Sequence, residues 1–229
     1  MHMFFKIALD GPSGAGKSTL ARMIAKRMGI LYVDTGAMYR SIGLYMYENG
    51  IDKENEAAVI AALPRVCLAI RFENGEQHIY LCDEDVGDRI RTPEISMYAS
   101  RVSAIPAVRA FLLQTQRSLA ETNSVIMDGR DIGTVIFPDA EVKIFLTASA
   151  EARAKRRLLE LNQKGIKTTF EEVLTDMQER DKNDRERTIA PAIAAEDAVI
   201  LDNSELDTEG TIRAALSIIE DGLRKKGIS

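Results

Sequence analysis

Residues 11–19 read GPSGAGKST and directly follow the apolar run FFKIAL, residues 4–9, and a single aspartate, Asp10. The stretch matches the pattern G-x-x-x-x-G-K-[S/T], which binds nucleotide phosphates when a strand precedes it and a helix follows. Glycine lets the backbone curl until successive amides point inward, and those amides, with the helix N-terminus, bind phosphate oxygens. The first prediction from this sequence is therefore that it binds a nucleoside triphosphate.

We assign the whole loop to the nucleotide site. The Lys17 side chain is expected to reach the β and γ phosphates, and the Ser18 hydroxyl is expected to bind Mg²⁺. The assigned residues are Gly11, Pro12, Ser13, Gly14, Ala15, Gly16, Lys17, Ser18 and Thr19.

Short apolar runs recur along the chain and are separated by longer segments with helical periodicity, which predicts a parallel α/β fold. The predicted strands cover residues 4–9, 30–33, 124–127, 142–146 and 198–201. The predicted helices cover residues 17–28, 37–47, 53–63, 106–121, 150–164, 170–185 and 208–226. No repeat or Pro/Gly/Ser-rich linker interrupts this pattern, so we expect one domain over residues 1–229.

The pattern changes between residues 64 and 100. The segments VCLAIRF, ENGE, QHIYLC and DEDV follow one another there, which predicts antiparallel strands with a hairpin turn at Asn74-Gly75. We interpret this region as a small subdomain inserted into the α/β domain.

The composition excludes several classes of partner. The 229 residues include 30 Lys and Arg against 35 Asp and Glu, so the net charge is −5 and no overall basic field attracts nucleic acid or an anionic membrane. The only cysteines, Cys67 and Cys82, lack metal-ligand spacing and are expected to be reduced thiols. No apolar run is long enough to span a membrane and no signal sequence is recognisable, so we expect a soluble, cytoplasmic protein.

The phosphate-binding loop alone does not identify the reaction, because kinases, GTPase switches and motor ATPases share it. The guanine-reading motif N-K-x-D is absent from the sequence, and the run SVIMD is followed by GRD rather than by a second acidic residue. Both observations weaken the switch and motor interpretations. Asp128, which ends that run, is placed to orient Mg²⁺ or its waters, and the alternative is a strand-end carboxylate bonded to loop amides.

Arginines stand at positions that suit phosphate binding, namely Arg40 in DTGAMYR, Arg109 near Pro106, Arg130 in DGRD and those in ERDKNDRER. On a helix, Arg180, Asp184 and Arg187 would share one face because they are spaced i, i+4 and i+7. Two cations and a carboxylate on one face could bind a phosphate and a sugar hydroxyl. A solvated face with ion pairs is the alternative, and Asp181 with Arg185 is expected to be such a pair.

A second basic cluster lies upstream on the helix predicted at 150–164 and contains Arg153, Lys155, Arg156 and Arg157. It could be a mobile phosphate-binding segment or another solvated face.

The stretches GPSGAGKST, DTGAMYR, residues 100–109, DGRDIGT and ERDKNDRER, in this order and spacing, resemble the bacterial cytidylate kinases, which phosphorylate CMP and dCMP with ATP. The match covers essentially the whole chain, and DTGAMYR together with DGRDIGT is highly specific. The resemblance implies the nucleoside monophosphate kinase fold, with a five-stranded parallel sheet and helices on both faces. It also implies a monophosphate-binding subdomain at about residues 64–100 and a short lid at about residues 153–168.

The resemblance also implies roles for individual residues. Arg40, Arg130 and Arg187 would bind the acceptor phosphate, Arg180 and Asp184 the sugar, and Ser100, Arg109 and Asp131 the cytosine, with Thr35 a further substrate-binding residue. The catalytic residues would be Lys17, Arg130, Arg187 and the lid residue Arg157. The implied cofactors are ATP as phosphoryl donor and Mg²⁺, and the expected protein is a monomer with no nucleic-acid or membrane partner.

This chemistry needs no general base, and neither His2 nor His78 is a candidate for one. A phosphomonoester has a second pKa of about 6, so the acceptor oxygens are already ionised at pH 7. Catalysis then requires in-line positioning and neutralisation of charge, for which guanidinium groups suit better than lysine. We predict an ATP:CMP phosphotransferase. A kinase of UMP or AMP, and a P-loop NTPase that drives a conformational switch in a partner, are the alternatives.

Overall fold

The structure, a computed structural model, describes residues 4–73, 76–163 and 165–228. Its main sheet contains β1 (Lys6–Asp10), β2 (Leu31–Asp34), β6 (Val125–Asp128), β7 (Val142–Thr147) and β8 (Val199–Asp202). These strands are all parallel and lie in the order β2-β6-β1-β7-β8. The predicted five-stranded parallel sheet is therefore confirmed.

Helices cover both faces of this sheet, as predicted. They are α1 (Lys17–Met28), α2 (Thr35–Glu48), α3 (Glu56–Ala62), α4 (Pro93–Val102), α5 (Pro106–Ser118), α6 (Ala150–Gln163), α7 (Phe170–Glu186) and α8 (Thr208–Lys225). On one face, α1 and α8 pack against the inward side chains of β1 and β7. On the other, the π-helical turn Ile132–Ile136 packs against β1, β2 and β6.

Most of the strands in this sheet end on an acidic residue, one position beyond the predicted apolar runs. Asp10, Asp34, Asp128 and Asp202 are these terminal residues. The pairing register places Asp34 opposite Asp128, and Leu9 opposite Asp128. Because the strands are parallel, these carboxylates lie at the carboxyl ends of the strands, which is where open α/β sheets bind their ligands.

The inserted region forms a second sheet with the antiparallel order β3-β4-β5, from β3 (Leu68–Glu73), β4 (Glu76–Leu81) and β5 (Glu84–Asp85). The antiparallel prediction is confirmed, while the turn expected at Asn74-Gly75 lies outside the described residues. Cys67 and Cys82 are free cysteines, as expected.

The sequence analysis missed α4, which begins within this region after the predicted strands. The Thr92 hydroxyl caps this helix by accepting from the amide of Ile95 at 3.2 Å, and Pro93 occupies its first turn. The signal was present in the sequence as a hydroxyl residue followed by proline. Helix α4 packs tightly on α2, where a Cβ at Gly43 would lie 2.9 Å from the amide nitrogen of Ala99.

No helix within the described ranges is both long enough and apolar enough to cross a membrane.

Candidate active site

The predicted phosphate-binding loop connects β1 to α1 and has the backbone geometry that its glycines allow. Gly11 has φ +147°, and a Cβ there would lie only 2.0 Å from the carbonyl oxygen of Leu146. Gly14 has φ +73°, and a Cβ there would lie 2.2 Å from Cε of Met177. The loop is therefore folded closely between β7 and α7. A side chain at Gly11 is sterically excluded by backbone, and one at Gly14 would strain the backbone and displace the end of the Met177 side chain.

Lys17 is the first residue of α1 and is buried, with 6% of the residue's surface exposed. Its ammonium group donates to the carbonyl oxygen of Pro12 at 2.8 Å. Burial, followed by the nearby Arg130 guanidinium, lowers the pKa of Lys17 to about 7. An anion bound at the loop would favour the charged ammonium and so raise this pKa again.

Asp128 is buried at the end of β6, and both of its carboxylate oxygens accept hydrogen bonds. The Ser18 hydroxyl donates to Oδ2 at 2.7 Å, and the Tyr32 hydroxyl donates to Oδ1 at 3.1 Å. Burial, followed by the charge of Asp34, raises the pKa of Asp128 to about 6. The Thr35 hydroxyl donates to the Asp128 backbone carbonyl at 2.7 Å, so Thr35 is tied to the same strand end.

These oxygens are hard ligands of the kind that Mg²⁺ prefers. Ser18 Oγ and Asp128 Oδ2, 2.7 Å apart, could belong to one coordination shell. No group of three or more His, Cys, Asp and Glu side chains is arranged for a metal in the described part of the chain. The residues therefore fit an ion that keeps several waters and takes further oxygens from phosphates, as Mg²⁺ does.

Asp10 lies beside the candidate site, and our sequence analysis gave it no role. It is buried at the end of β1, and its two carboxylate oxygens accept from the backbone amides of Ile132 and Gly133, both at 2.8 Å. Through these bonds Asp10 fixes the segment that follows Arg130 and Asp131. Burial is the largest cause that raises the pKa of Asp10, to about 6.

Asp10→Asn is expected to change how stability depends on pH. Between its ordinary pKa of 3.8 and about 6, the folded chain binds more protons at Asp10 than the unfolded chain does. Wild-type stability should therefore fall as the pH rises through this window, with a contribution from Asp10 of up to about 1.4 kcal/mol per pH unit. Urea unfolding at pH 4, 5, 6 and 7 should give a flatter profile for Asp10→Asn. The same slope in both proteins would contradict this assignment.

The three arginines predicted for the acceptor phosphate lie near carboxylates at the same end of the sheet. Arg40 donates to Asp34 at 3.1 Å, and Arg130 Nε donates to Asp184 at 2.9 Å. Arg187 lies 4.0 Å from Asp184. Among the described residues, two buried donor atoms of this group have no hydrogen-bond partner, Arg40 Nε and Arg187 Nη2. Buried donors of this kind point to a ligand that accepts hydrogen bonds.

The interpretation that Arg180, Asp184 and Arg187 share a helical face was wrong in part. Helix α7 ends at Glu186, and Arg187 is its C-cap with extended backbone at φ −61° and ψ 138°. The turn of the chain there brings the Arg187 guanidinium to 3.8 Å from Asp131. Arg180 is half-buried on α7, one turn before Asp184.

Of the three residues predicted for the base, Arg109 on α5 and Asp131 after β6 contact each other. Arg109 forms a buried ion pair with Asp131 and donates to the carbonyl of Ser103 at 3.1 Å. The Tyr39 ring lies 5.6 Å from the Arg109 guanidinium, a neighbour that the sequence analysis missed. Ser100 on α4 is half-buried, and its carbonyl accepts from the Ser103 hydroxyl at 2.9 Å.

For Arg153, the solvated-face alternative of the sequence analysis was wrong. The side chain is only 6% exposed and donates to the carbonyls of Ser13 at 2.9 Å and Ala148 at 3.1 Å. It also forms an ion pair with Asp181 at 2.7 Å. The expected surface pair of Asp181 with Arg185 was therefore wrong, because Asp181 instead helps to fix the phosphate-binding loop against α6 and α7.

The other arginines of α6 differ in their contacts. Arg156 donates to the backbone and side-chain oxygens of Asn203 at 2.7 and 3.1 Å, and the Asn203 amide donates to Ala15 in the loop at 3.1 Å. Arg157 is 38% exposed and pairs with Glu160 at 3.0 Å. Of these side chains, Arg157 is therefore the one with freedom to move toward a ligand.

The sequence of this chain matches the protein family described as Cytidylate kinase over residues 7–221. A cytidylate kinase from Caldicellulosiruptor bescii is 46% identical over 212 residues, covering 93% of this chain and 94% of that protein. One from Thermosipho melanesiensis is 47% identical over 216 residues, covering 94% and 97%. A third, from Fervidobacterium nodosum, is 44% identical over 224 residues, covering 98% and 100%.

Proposed function

The chain belongs to the cytidylate kinase family, and from this premise we propose that it transfers the γ-phosphoryl group of ATP to CMP and dCMP, forming CDP and dCDP. The observation that best supports this proposal is a pair of buried donor atoms, on Arg40 and Arg187, that have no hydrogen-bond partner within the described residues. Both arginines lie near the carboxyl ends of the parallel strands, as the phosphate-binding loop does. A site with a donor loop and a separate arginine cluster suits transfer between two phosphates.

On the donor side, the amides of the loop from Gly11 to Thr19 bind the ATP phosphates, together with the N-terminus of α1. Lys17 moves its ammonium group from the Pro12 carbonyl to the β and γ phosphates. The negative phosphates raise its pKa from about 7, so Lys17 is charged when the phosphoryl group transfers. Its contribution is greatest in the transition state, where the charge on the transferring group is redistributed.

Mg²⁺ would be held by Ser18 and by Asp128, directly or through water. When bound, it supplies positive charge to the phosphate oxygens. Asp128 must be ionised for this role, and Tyr32 and Ser18 support its ionised form by donating hydrogen bonds to both oxygens.

On the acceptor side, Arg40, Arg130 and Arg187 bind the CMP phosphate and bring one of its oxygens in line with the γ-phosphorus. No residue needs to remove a proton, because the second pKa of a phosphomonoester is about 6. The Nε of Arg40 and the Nη2 of Arg187 are the donors for the phosphate oxygens. Arg180 and Asp184 bind the ribose, and Thr35 lies next to the acceptor site at the end of β6.

The lid at about residues 153–168 closes over the phosphates and excludes water, which prevents hydrolysis of ATP. Arg157 is its catalytic residue, since its guanidinium can exchange Glu160 for a phosphate oxygen. Arg153 remains fixed at the base of the lid through Asp181 and Ser13. The cytoplasmic location and the monomeric state stay predictions. The lack of nucleic-acid partners also stays a prediction, and the net charge of −5 supports it.

The proposed function is tested by measuring ADP release from ATP and Mg²⁺ with no acceptor and with CMP, dCMP, UMP or AMP. We expect rapid release only with CMP and dCMP. Faster turnover with UMP or AMP would favour a kinase of another acceptor. Release that is equally fast without any monophosphate would instead support an NTPase that acts on a partner.

Asp131→Asn is expected to weaken discrimination between CMP and UMP. Cytosine presents an amine donor beside a ring-nitrogen acceptor, and uracil presents the reverse. If Asp131 accepts from the amine while Arg109 donates to the acceptor edge, two mismatched contacts predict about a 100-fold preference for CMP. The asparagine amide can donate to the uracil carbonyl, so the ratio of the two kcat/KM values should narrow with activity on UMP retained.

The ion pair between Arg109 and Asp131 offers a different explanation for Asp131, namely that it only orients Arg109. In that case Asp131→Asn would reduce kcat/KM for CMP and UMP by equal factors. An unchanged ratio of the kcat/KM values for CMP and UMP would therefore indicate that Asp131 positions Arg109 and does not recognise the base.

A further inference from the structure

The side chain of Gln77 joins the inserted sheet to the edge of the main sheet. Its Oε1 accepts from the backbone amide of Asp34 at 2.8 Å, and its Nε2 donates to the backbone carbonyl of Asp34 at 3.3 Å. Gln77 lies on β4, whereas Asp34 ends β2, the edge strand of the main sheet. A carboxamide has the same donor and acceptor pair as a peptide group, so Gln77 pairs with Asp34 as a neighbouring strand would.

Asp34 in turn orients Arg40. The Asp34 carboxylate caps α2 by accepting from the amide of Ala37 at 2.8 Å, and it accepts from Arg40 Nη2 at 3.1 Å. The pair packs on the backbone of Gly36, where an added Cβ would lie 3.0 Å from Arg40 Nη1 and 3.2 Å from Asp34 Oδ1. A displacement of the Asp34 backbone would therefore move the Arg40 guanidinium.

A cavity of about 330 Å³ borders these hydrogen bonds, between β2 and the inserted sheet. Its lining includes Arg22, Tyr32, Asp34, Gln77, Ile90 and Arg91. The Gln77 hydrogen bonds hold Asp34 to the inserted sheet beside this cavity, while the strand pairing of Asp34 is with Asp128 of β6.

We propose that Gln77 is a positioning residue for the acceptor phosphate: it fixes Asp34, and Asp34 fixes Arg40. This inference rests on the proposed function, in which Arg40 binds the phosphate of CMP. In this proposal the inserted sheet increases the affinity for CMP without any contact between Gln77 and the nucleotide. The effect should appear in the affinity for CMP and leave the use of ATP unchanged.

The test is Gln77→Met, which keeps the length of the side chain and removes both hydrogen-bonding groups. Loss of two hydrogen bonds predicts a rise in KM for CMP of about tenfold, while kcat and KM for ATP change by less than about twofold. The matched control is Tyr80→Phe on the same strand. It removes a hydrogen bond to Glu73 at 3.2 Å and does not alter contacts to Asp34.

The double variant Gln77→Met with Arg40→Ala separates positioning from a general loss of stability. If Gln77 acts through Arg40, Gln77→Met should lower kcat/KM for CMP by less than about twofold once Arg40 is absent. Equal factors in the two backgrounds, or an unchanged KM for CMP in Gln77→Met alone, would overturn the inference. Parallel losses for CMP and ATP would do so as well, since they indicate a fold-wide effect.

The response of the wild-type protein to CMP distinguishes a failure of the proposed function from a failure of the role inferred for Gln77. If it does not release ADP in response to CMP, the proposed function fails. If it responds to CMP and Gln77→Met behaves like Tyr80→Phe, only the role of Gln77 fails.

Discussion

Lys17→Ala is expected to lower the turnover of ATP with CMP by roughly 10²- to 10³-fold, with a much smaller loss of ATP affinity. The ammonium group stabilises charge that develops on the transferring phosphoryl group, and removal of one such preorganised donor typically costs two to three orders of magnitude. The loop amides remain in the variant and still bind the phosphates of the ground state. The loss should therefore appear in kcat more than in the dissociation constant for ATP.

The measurements are steady-state ADP release with CMP and calorimetric titration of ATP in the absence of CMP. Lys26→Ala is the matched control, because Lys26 is exposed on the same helix. Since burial lowers the pKa of Lys17 to about 7, the wild type should also take up protons when ATP binds near pH 8, and Lys17→Ala should not. Near-normal turnover with CMP in Lys17→Ala would remove the basis for the proposed chemistry.

The main sheet and the phosphate-binding loop could be predicted from the sequence because their signals are local. Short apolar runs followed by helical periodicity define parallel strands, and Gly11 is required by a backbone conformation that other residues rarely adopt. The predicted strands ended one residue before Asp10 and Asp128, because an acidic residue after an apolar run usually indicates the end of a strand. In the structure these carboxylates complete the strands and form the site.

The partners of buried charges could not be predicted, since they are distant in sequence. Asp10 binds amides more than 120 residues away, and Arg153 reaches both Ser13 and Asp181. Periodicity indicates that a position is buried, but not which charge will face it. The partner of Gln77 could not be predicted either, because nothing in the sequence indicates that a polar residue on a short strand hydrogen-bonds to the end of β2.

Family membership adds the identity of the acceptor, which the geometry alone does not provide. A phosphate-binding loop beside arginines is consistent with many phosphoryl acceptors. The structure contributes the physical organisation of the site, in which each proposed phosphate arginine lies near a carboxylate that orients it. Such pairing keeps the guanidinium groups in place before the substrate binds, which lowers the cost of organising the transition state.

Arg187→Ala is expected to reduce kcat/KM for CMP by roughly 10²- to 10³-fold and to leave the affinity for ATP within about twofold of the wild type. Of the three phosphate arginines, Arg187 gives the cleanest test. Its ion-pair distances to carboxylates are long, at 3.8 Å to Asp131 and 4.0 Å to Asp184, and its Nε donates to the backbone carbonyl of Ala190 at 2.5 Å. Its Nη2 has no hydrogen-bond partner among the described residues. Arg130→Ala, in contrast, would leave Asp184 without its partner at 2.9 Å.

Arg187→Lys should recover little of this activity, even though it keeps the positive charge. A guanidinium can donate two parallel hydrogen bonds to a phosphate, whereas an ammonium group acts as a point charge at a different distance from the backbone. Calorimetry of ATP and kinetics with CMP give the two quantities to compare, with the exposed Arg224→Ala as control. Equal losses for ATP and CMP, in a variant whose thermal stability matches the wild type, would mean that Arg187 is not specific to the acceptor phosphate.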